Sequence, residues 1–151
     1  MDIYISIIII IFIIIIDQIS KWLAYKYIKP KAKYKNKVFY FSYVENSGMA
    51  YGHLSGEYIY FYIATIITII GLSFLTIYLD FKNNFLFSVG LSMIFGGALG
   101  NFIDRVFRGF VIDFITGKIF KKHLPVYNIS DFCLLIGALL MLISFIGDLI
   151  L

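Results

Sequence analysis

Four apolar segments alternate along the chain with polar connections, and this pattern predicts four membrane-spanning helices. The segments cover residues 3–27, 58–79, 85–103 and 128–148. About 20 apolar residues in a helix are enough to cross the hydrocarbon core of a bilayer. An even number of spans places both termini on one side of the membrane and both long polar connections on the other. We expect one membrane-embedded domain, residues 1–151.

The first apolar segment could in principle be a cleavable signal peptide. It has no basic residue before the apolar run and no small-residue cleavage site, and it ends in Asp17 and Gln18. These features do not fit a secretory signal. We therefore expect the segment to be retained as the first span.

The connection between the first and second spans has the composition of a folded surface segment. Residues 37–44, KVFYFSYV, combine aromatic and β-branched side chains, which predicts one or two short strands. The following NSGMAYG, 46–52, is either an ordinary glycine turn or a backbone that can approach a ligand closely. The expected fold is an all-α membrane protein with four transmembrane helices and a small β-containing segment between the first two.

Composition supports membrane insertion and changes how the positive charge is interpreted. The chain is 61% hydrophobic and only 15% charged, with a formal net charge of +4. Six lysines fall in one short segment beside the first span: Lys26, Lys29, Lys31, Lys33, Lys35 and Lys37. Such a cluster typically meets anionic lipid headgroups, so phospholipids and not nucleic acid are the expected partners. The single cysteine, Cys133, excludes an internal disulfide and a CxxC redox or zinc motif.

Charged residues are concentrated at the end of the third span. The stretch 96–114 reads GGALGNFIDRVFRGFVIDF and begins with a GxxxG pattern that permits close helix crossing. Asn101, Asp104, Arg105 and Arg108 then follow at i, i+3, i+4 and i+7, so they share one helix face. Asp104 could form a structural pair with either arginine. Asp113 lies in an apolar setting, where desolvation raises a carboxyl pKa toward the range useful for proton transfer.

Two other acids are expected at the same membrane face. Asp131 begins the fourth span, and its spacing from Asn128 also fits a helix capping box. Asp17 and Lys21 are four residues apart, so they could be a helix-end ion pair or could line a site. The polar groups expected to gather there are Asp17, Lys21, Asn46, Asn101, Asp104, Arg105, Asp113, Asn128 and Asp131.

Two carboxylates brought close together share a proton, so one can activate a water while the other donates to the substrate. This is the chemistry of an aspartic protease, which requires no nucleophilic serine or cysteine, no metal and no cofactor. Spacing alone leaves open which two of Asp104, Asp113 and Asp131 form the pair.

Two other classes compete with a protease. A four-span transporter or proton channel would use its acids as an ion relay, but it should place charges through the membrane depth, and the middles of the second, third and fourth spans have none. A structural or assembly subunit would explain the glycines but gives the acids no role. The peptidase is the favoured hypothesis.

Four blocks, in this order, resemble the lipoprotein signal peptidases, the type II signal peptidases of bacteria. The blocks are DQISK at 17–21, NSGMAYG at 46–52, GGALGNFIDRVFRGFVIDF at 96–114 and YNISD at 127–131. The resemblance covers nearly the whole chain. Two positions depart from the family pattern, since Tyr127 and Ser130 stand where it usually has Phe and Ala.

The resemblance implies specific roles. Asp113 and Asp131 match the catalytic pair of the family. Residues matching those that line the site and hold the substrate are Asn46, Gly48, Asn101, Asp104, Arg105 and Asn128, while Asp17 and Lys21 match bracing residues. The implied substrate is a prolipoprotein whose cysteine already carries diacylglycerol, cut just before that cysteine. The enzyme is expected to act as a monomer, without metal or cofactor.

The resemblance also implies an orientation in the bacterial inner membrane. The family has cytoplasmic termini and an active site near the extracytoplasmic face, which would make the β-containing segment extracytoplasmic. The positive-inside rule gives the opposite answer, because the lysine-rich connection lies on the site's side. We follow the resemblance and expect those lysines to meet anionic outer-leaflet lipids and the substrate's lipid.

Overall fold

The computed structural model describes residues 1–29, 39–47, 58–119 and 122–150. Their helices are α1 (Asp2–Tyr27), α2 (Tyr58–Leu75, continued by a 3-10 turn, Thr76–Tyr78), α3 (Phe85–Arg108) and α4 (Ile129–Ile150). Their strands are β1 (Phe39–Asn46), β2 (Val111–Ile119) and β3 (Lys122–His123). The expected class, four helices with a small sheet, is confirmed.

Helix α3 is the centre of the bundle and contacts α1, α2 and α4. Small residues at the helix crossings allow these contacts, because larger side chains at the same positions would hold the helix backbones apart. At the α3–α4 crossing, a Cβ added to Gly90 would lie 2.6 Å from the carbonyl oxygen of Gly137, and one added to Gly137 would lie 2.6 Å from that of Gly90. Of the two glycines in the predicted GxxxG pattern, Gly96 packs against Ile13 of α1, and Gly100 lies against both Ser130 of α4 and Asp17 of α1.

Within the described residues, three helices have the length and apolar composition to cross a membrane: α1, α3 and α4. The apolar stretch Tyr62–Tyr78 is shorter. The 18 residues of α2 nevertheless extend about 27 Å, close to the ~30 Å of a hydrocarbon core. The outer faces of α1 and α4 expose isoleucine, leucine and phenylalanine, as expected for helices in lipid.

The sheet joins two connections that are far apart in sequence. β1 pairs antiparallel with β2, from Phe39 opposite Gly117 to Asn46 opposite Val111, and β2 pairs with β3. The strand expected at 37–44 is therefore found as β1. Its partner β2 was not predicted, because its apolar run was interpreted only as the surroundings of Asp113.

The end of α3 also differs from the expected boundary at residue 103. The helix continues to Arg108 and ends at Gly109, whose φ of 78° lies in the left-handed region that favours glycine. Charged residues at a span's end do not stop a helix, because their side chains find partners in α1. The extra turn keeps Asp104 and Arg108 on the helical face that contacts those partners.

Candidate active site

Asp113 lies in the middle of β2 and is almost completely buried. Its neighbours Ile112 and Phe114 belong to an apolar cluster with Ala24 of α1. Because side chains alternate along a strand, Asp113 projects to the opposite side. There its Oδ1 accepts a hydrogen bond from Asn128 Nδ2 at 2.6 Å, and its Oδ2 accepts one from Asn46 Nδ2 at 2.9 Å.

Asp131 lies in the first turn of α4, where it forms a capping box with Asn128. The Asp131 amide donates to Asn128 Oδ1 at 2.9 Å, and the Asn128 amide donates to Asp131 Oδ2 at 3.1 Å. The capping interpretation is confirmed, but it uses only one carboxylate oxygen. The other, Oδ1, accepts from Asn101 Nδ2 at 2.9 Å.

Two asparagines connect the two aspartates. Asn128 Nδ2 donates to Asn101 Oδ1 at 3.2 Å as well as to Asp113, while Asn101 Nδ2 donates to Asp131. Asp113 and Asp131 are therefore the acids that the fold brings to one amide network. Asp104 has different partners, since its oxygens contact Lys21, Gln18, Arg108 and the backbone amide of Ile112.

Asp104 belongs to a buried charge cluster behind the asparagines. Lys21, Asp17 and Asp104 have no exposed surface. The Lys21 ammonium contacts Asp17 Oδ2 at 2.7 Å, Asp104 Oδ2 at 3.1 Å and Asn101 Oδ1 at 3.0 Å, which uses its three N–H donors. The predicted Asp17–Lys21 pair is confirmed, and through Asn101 it also reaches the site.

Two members of this cluster were not predicted as site residues. Gln18 donates to Asp104 Oδ1 at 3.1 Å and accepts from Arg108 at 3.0 Å. Arg108 also forms an ion pair with Asp104. With Lys21 and Asp17, the cluster holds two positive and two negative charges, so it is neutral. The i+4 spacing of Asp104 and Arg108 was the available signal, whereas nothing in the sequence indicated Gln18.

The cluster is also attached to the elements that carry the catalytic candidates. The backbone amide of Ile112 donates to Asp104 Oδ2 at 3.0 Å, immediately before Asp113. The amide of Ser130 donates to Asp17 Oδ1 at 3.0 Å, immediately before Asp131. The charge cluster thus holds the backbone beside each aspartate.

Arg105 does not pair with Asp104 by a direct ion pair. Its Nη1 donates to the Asn101 carbonyl oxygen at 3.3 Å, and its charge interacts with Asp131 and Asp113. The hydroxyl of Tyr62 donates to the Arg105 carbonyl oxygen, which ties α2 to this turn of α3. Arg105 is only partly buried, and it supplies positive charge near the aspartate pair.

The surroundings of Asp113 change its proton affinity. The pKa of Asp113 is raised to about 6. Burial is the largest cause and the charge of Asp131 acts in the same direction, while the hydrogen bonds from Asn46 and Asn128 and the charge of Lys21 partly oppose the shift. This is the direction expected for a carboxyl group that must hold or share a proton near neutral pH.

One predicted site residue, Gly48, lies outside the described residues. Within the described ranges there is no group of three or more His, Cys, Asp or Glu arranged to hold a metal ion.

Comparison with known proteins identifies the family. The family model for signal peptidase (SPase) II matches residues 9–147. A lipoprotein signal peptidase of Staphylococcus carnosus (strain TM300) is 40% identical over 138 residues, covering 90% of this chain and 86% of that protein. That of Halalkalibacterium halodurans (strain C-125) is 36% identical over 140 residues, covering 90% and 88%.

Solved structures give the same result. A bacterial membrane enzyme determined by the in meso method at 1.9 Å resolution matches with a TM-score of 0.82 and 39% identity, over 95% of this chain and 93% of that one. A second, at 2.3 Å, has the same TM-score and identity over 95% and 88%. The family match covers most of the chain, and the chain is a multi-pass bacterial membrane protein that belongs to the signal peptidase II family.

Proposed function

We propose that this protein is an aspartic endopeptidase of the membrane that removes the signal peptide from prolipoproteins, with Asp113 and Asp131 as its catalytic pair. The observation that carries the proposal is the linkage of these two carboxyl groups through Asn128 and Asn101. The names of the relatives supply the substrate class, since they are lipoprotein signal peptidases.

The reaction follows from one proton shared by two carboxyl groups. The ionised carboxylate takes a proton from a water molecule as its oxygen attacks the scissile carbonyl carbon. The protonated carboxyl group gives its proton to the carbonyl oxygen, which yields a tetrahedral diol. Collapse of the diol breaks the C–N bond. The proton taken from water passes to the leaving amine, and one diol hydroxyl returns a proton to the carboxylate that had protonated the carbonyl oxygen, so the pair again holds one shared proton. Either aspartate fits either role.

The neighbouring polar groups position this chemistry. Asn46 and Asn128 orient the two oxygens of Asp113, and Asn101 orients Asp131. Arg105 places its positive charge near the pair, and from the family resemblance we assign it to substrate binding. Asp17 and Lys21 brace the asparagines. We propose the same role for Asp104, which the resemblance places among the substrate-binding residues, because its side chain is completely buried. Gly48 is proposed, from the family resemblance, as a further substrate-binding position.

The proposed substrate carries diacylglycerol on the cysteine after the cleaved bond, and the enzyme is proposed to act as a monomer. The aspartate pair lies at the end of the bundle, where the amphipathic substrate can reach it from the bilayer. We propose that this end faces outward and that both termini are cytoplasmic. A reporter enzyme that works only outside the cytoplasm should be active when it is inserted after Lys35. If only a reporter that works in the cytoplasm is active at this position, the orientation is the reverse of the one proposed.

A transporter or channel has less support. Charged groups of the described helices gather at the two ends, and the middles of the helices contain uncharged polar groups such as the hydrogen-bonded Ser6 and Ser92. A relay through the membrane would need ionisable groups at intermediate depth.

The test is cleavage of a diacylglyceryl-modified prolipoprotein by purified variants. Asp113→Asn and Asp131→Asn should each lower the rate by roughly 10²-fold or more, because a proton-transfer group is lost. Asp80→Asn is the matched control, since Asp80 lies at the turn between α2 and α3, and it should cleave at the normal rate. Rates near wild type in either active-site variant, with normal insertion, would rule out the assigned pair.

A further inference from the structure

A cavity lies on the other side of β2 from the Asp113 carboxyl group. Its volume is 390 Å³, within the roughly 300–1,000 Å³ typical of small-molecule pockets. It is lined by Trp22, Tyr25, Tyr43, Arg108, Phe110 and Ile112. Ile112 faces this cavity while the next residue, Asp113, faces the aspartate pair, so the two sites share one strand.

The cavity combines apolar walls with one cation. Arg108 Nη1 is engaged by Asp104 and Gln18. A guanidinium has five N–H donors, and the described residues provide partners for those on Nη1 alone. The side chain is 31% exposed, so its remaining donors can reach an acceptor in the cavity.

The aromatic faces at the cavity rim are already covered by positive charge. Lys29 Nζ lies 4.9 Å from the ring centre of Tyr25 and 5.2 Å from that of Tyr43. Lys26 Nζ lies 4.9 Å from the ring centre of Trp22. These contacts exclude a cationic ligand from the aromatic faces. Among the described residues at this rim, the two lysines face one acid, Glu45, which pairs with Lys29 at 2.7 Å. The rim therefore has a net positive charge and favours an anion.

The position of the cavity indicates that the anion is a lipid. It lies at the end of α1, where Trp22 is about half exposed, as is usual for an aromatic residue at the membrane interface. Leu23 beside Trp22 and Phe107 beside Arg108 are exposed apolar residues, and Phe107 is 81% exposed. Lipid-facing surface therefore continues up to the residues that line the cavity.

We propose that this cavity is a binding site for an anionic phospholipid. The phosphate contacts Arg108, with Lys26 and Lys29 adding positive charge at the rim. The glycerol and the upper acyl chain pack against Tyr43, Phe110 and Ile112. The proposal is independent of the peptidase assignment.

The only tryptophan of the chain gives a direct measurement, because Trp22 lines the cavity. The protein is reconstituted in phosphatidylcholine vesicles in which a rising fraction is replaced by dibrominated phosphatidylglycerol or by dibrominated phosphatidylcholine. Bromine quenches tryptophan fluorescence on contact. We expect half-maximal quenching at an about fivefold lower mole fraction of the anionic lipid, the effect of one basic group facing an anionic lipid. Equal quenching by both lipids would mean exchange with surrounding lipid only and would overturn the proposal.

Variants then separate the cavity from general surface charge. Arg108→Gln should remove most of the preference for the anionic lipid, while Arg108→Lys should retain part of it. Lys82→Gln removes an exposed lysine at the α2–α3 turn, at the other end of the bundle, and should leave the preference unchanged. If Arg108→Gln does not fold, the double variant Lys26→Gln/Lys29→Gln decides, with a reduced preference expected. If the folded Arg108→Gln protein keeps the wild-type preference for the anionic lipid, the proposed site is wrong. The same holds for the double variant if Arg108→Gln does not fold.

Discussion

Asn128 Nδ2 lies 3.2 Å from Asn101 Oδ1, so the side-chain amides of these two residues are hydrogen-bonded to each other. Each amide also donates to one aspartate, Asn128 to Asp113 and Asn101 to Asp131. Asn101 Oδ1 in turn accepts from Lys21. A continuous chain of hydrogen bonds therefore runs from the Lys21 ammonium through the two side-chain amides to the two aspartates.

The contact from Asn46 should control the pH dependence of cleavage. Burial is the main reason why the pKa of Asp113 is raised to about 6, and this hydrogen bond holds it below the value that burial alone would give. Asn46→Ala removes the donor, so the pKa of Asp113 rises and the alkaline limb of the kcat/KM profile should move to higher pH. Asn84→Ala is the control, because Asn84 contacts Ser144 at the far end of the bundle. If the alkaline limb of the kcat/KM profile is at the same pH in Asn46→Ala as in wild type, Asp113 is not the group whose titration produces this limb.

Asp113 should also make the folded protein less stable as the pH rises. Its folded pKa is about 6, against an ordinary value of 3.8, so between these values the unfolded chain loses its proton first and stability falls. The stability of Asp113→Asn relative to wild type should therefore increase from pH 4 to above pH 6, by about 3 kcal/mol at most. Chemical unfolding in detergent at several pH values measures this difference.

Asp80 provides a control of opposite sign. Hydrogen bonds from Asn83 hold the pKa of this exposed carboxyl group below its ordinary value. Its contribution to stability is present above that value and is lost as pH falls. Asp80→Asn should thus lose stability relative to wild type as the pH rises. The same trend in both variants would contradict the burial argument for Asp113.

Two ion pairs of equal length should contribute very differently to stability. Lys21–Asp17 and Lys29–Glu45 both have N–O distances of 2.7 Å, but the first is fully buried and the second is 46% and 40% exposed. Lys21→Met leaves buried carboxylates without their counter-charge and should lower the free energy of unfolding by about 3–5 kcal/mol. Lys29→Met should leave the free energy of unfolding almost unchanged, because solvent screens an exposed ion pair. Equal losses in the two variants would mean that burial does not set the energy of the cluster.

The crossing of α3 and α4 should depend on the glycines that face each other. Gly137→Ala would place its Cβ 2.6 Å from the Gly90 carbonyl oxygen, so the helices must move apart, at a cost of about 1–3 kcal/mol. Gly71→Ala is the matched control, because nothing lies within 4 Å of its Cβ. Alanine favours helix over glycine, so this change should leave stability equal or raise it by up to about 1 kcal/mol. Thermal unfolding of both variants compares them, and equal midpoints would contradict close packing at this crossing.

Ser130 should be replaceable by alanine without loss. Its hydroxyl is fully buried and has no hydrogen-bond partner in the described part of the chain. The backbone amide that binds Asp17 is retained in Ser130→Ala. Removing an unsatisfied buried hydroxyl should therefore keep stability equal or raise it by about 1 kcal/mol. A clear loss of stability or of cleavage would show that the hydroxyl has a partner in the working enzyme.

The sequence by itself determined the features that depend on neighbouring residues. Apolar segment lengths gave the four helices, since crossing a bilayer requires a minimum length. The i+4 spacing gave the Asp17–Lys21 pair, and the i+3 spacing gave the capping box of Asn128 and Asp131. The identity of the aspartate pair came from family resemblance, because spacing left three candidates.

Tertiary structure alone decided which distant groups meet. Lys21 reaches Asn101, 80 residues away, and Ser130 binds Asp17 across 113 residues. Pairing of β2 with β1 turned Asp113 toward the asparagines and Ile112 toward the cavity that Trp22 and Arg108 also line. Gln18 entered the charge cluster for the same reason. Such contacts depend on how helices cross and strands register, and local residue patterns do not specify either.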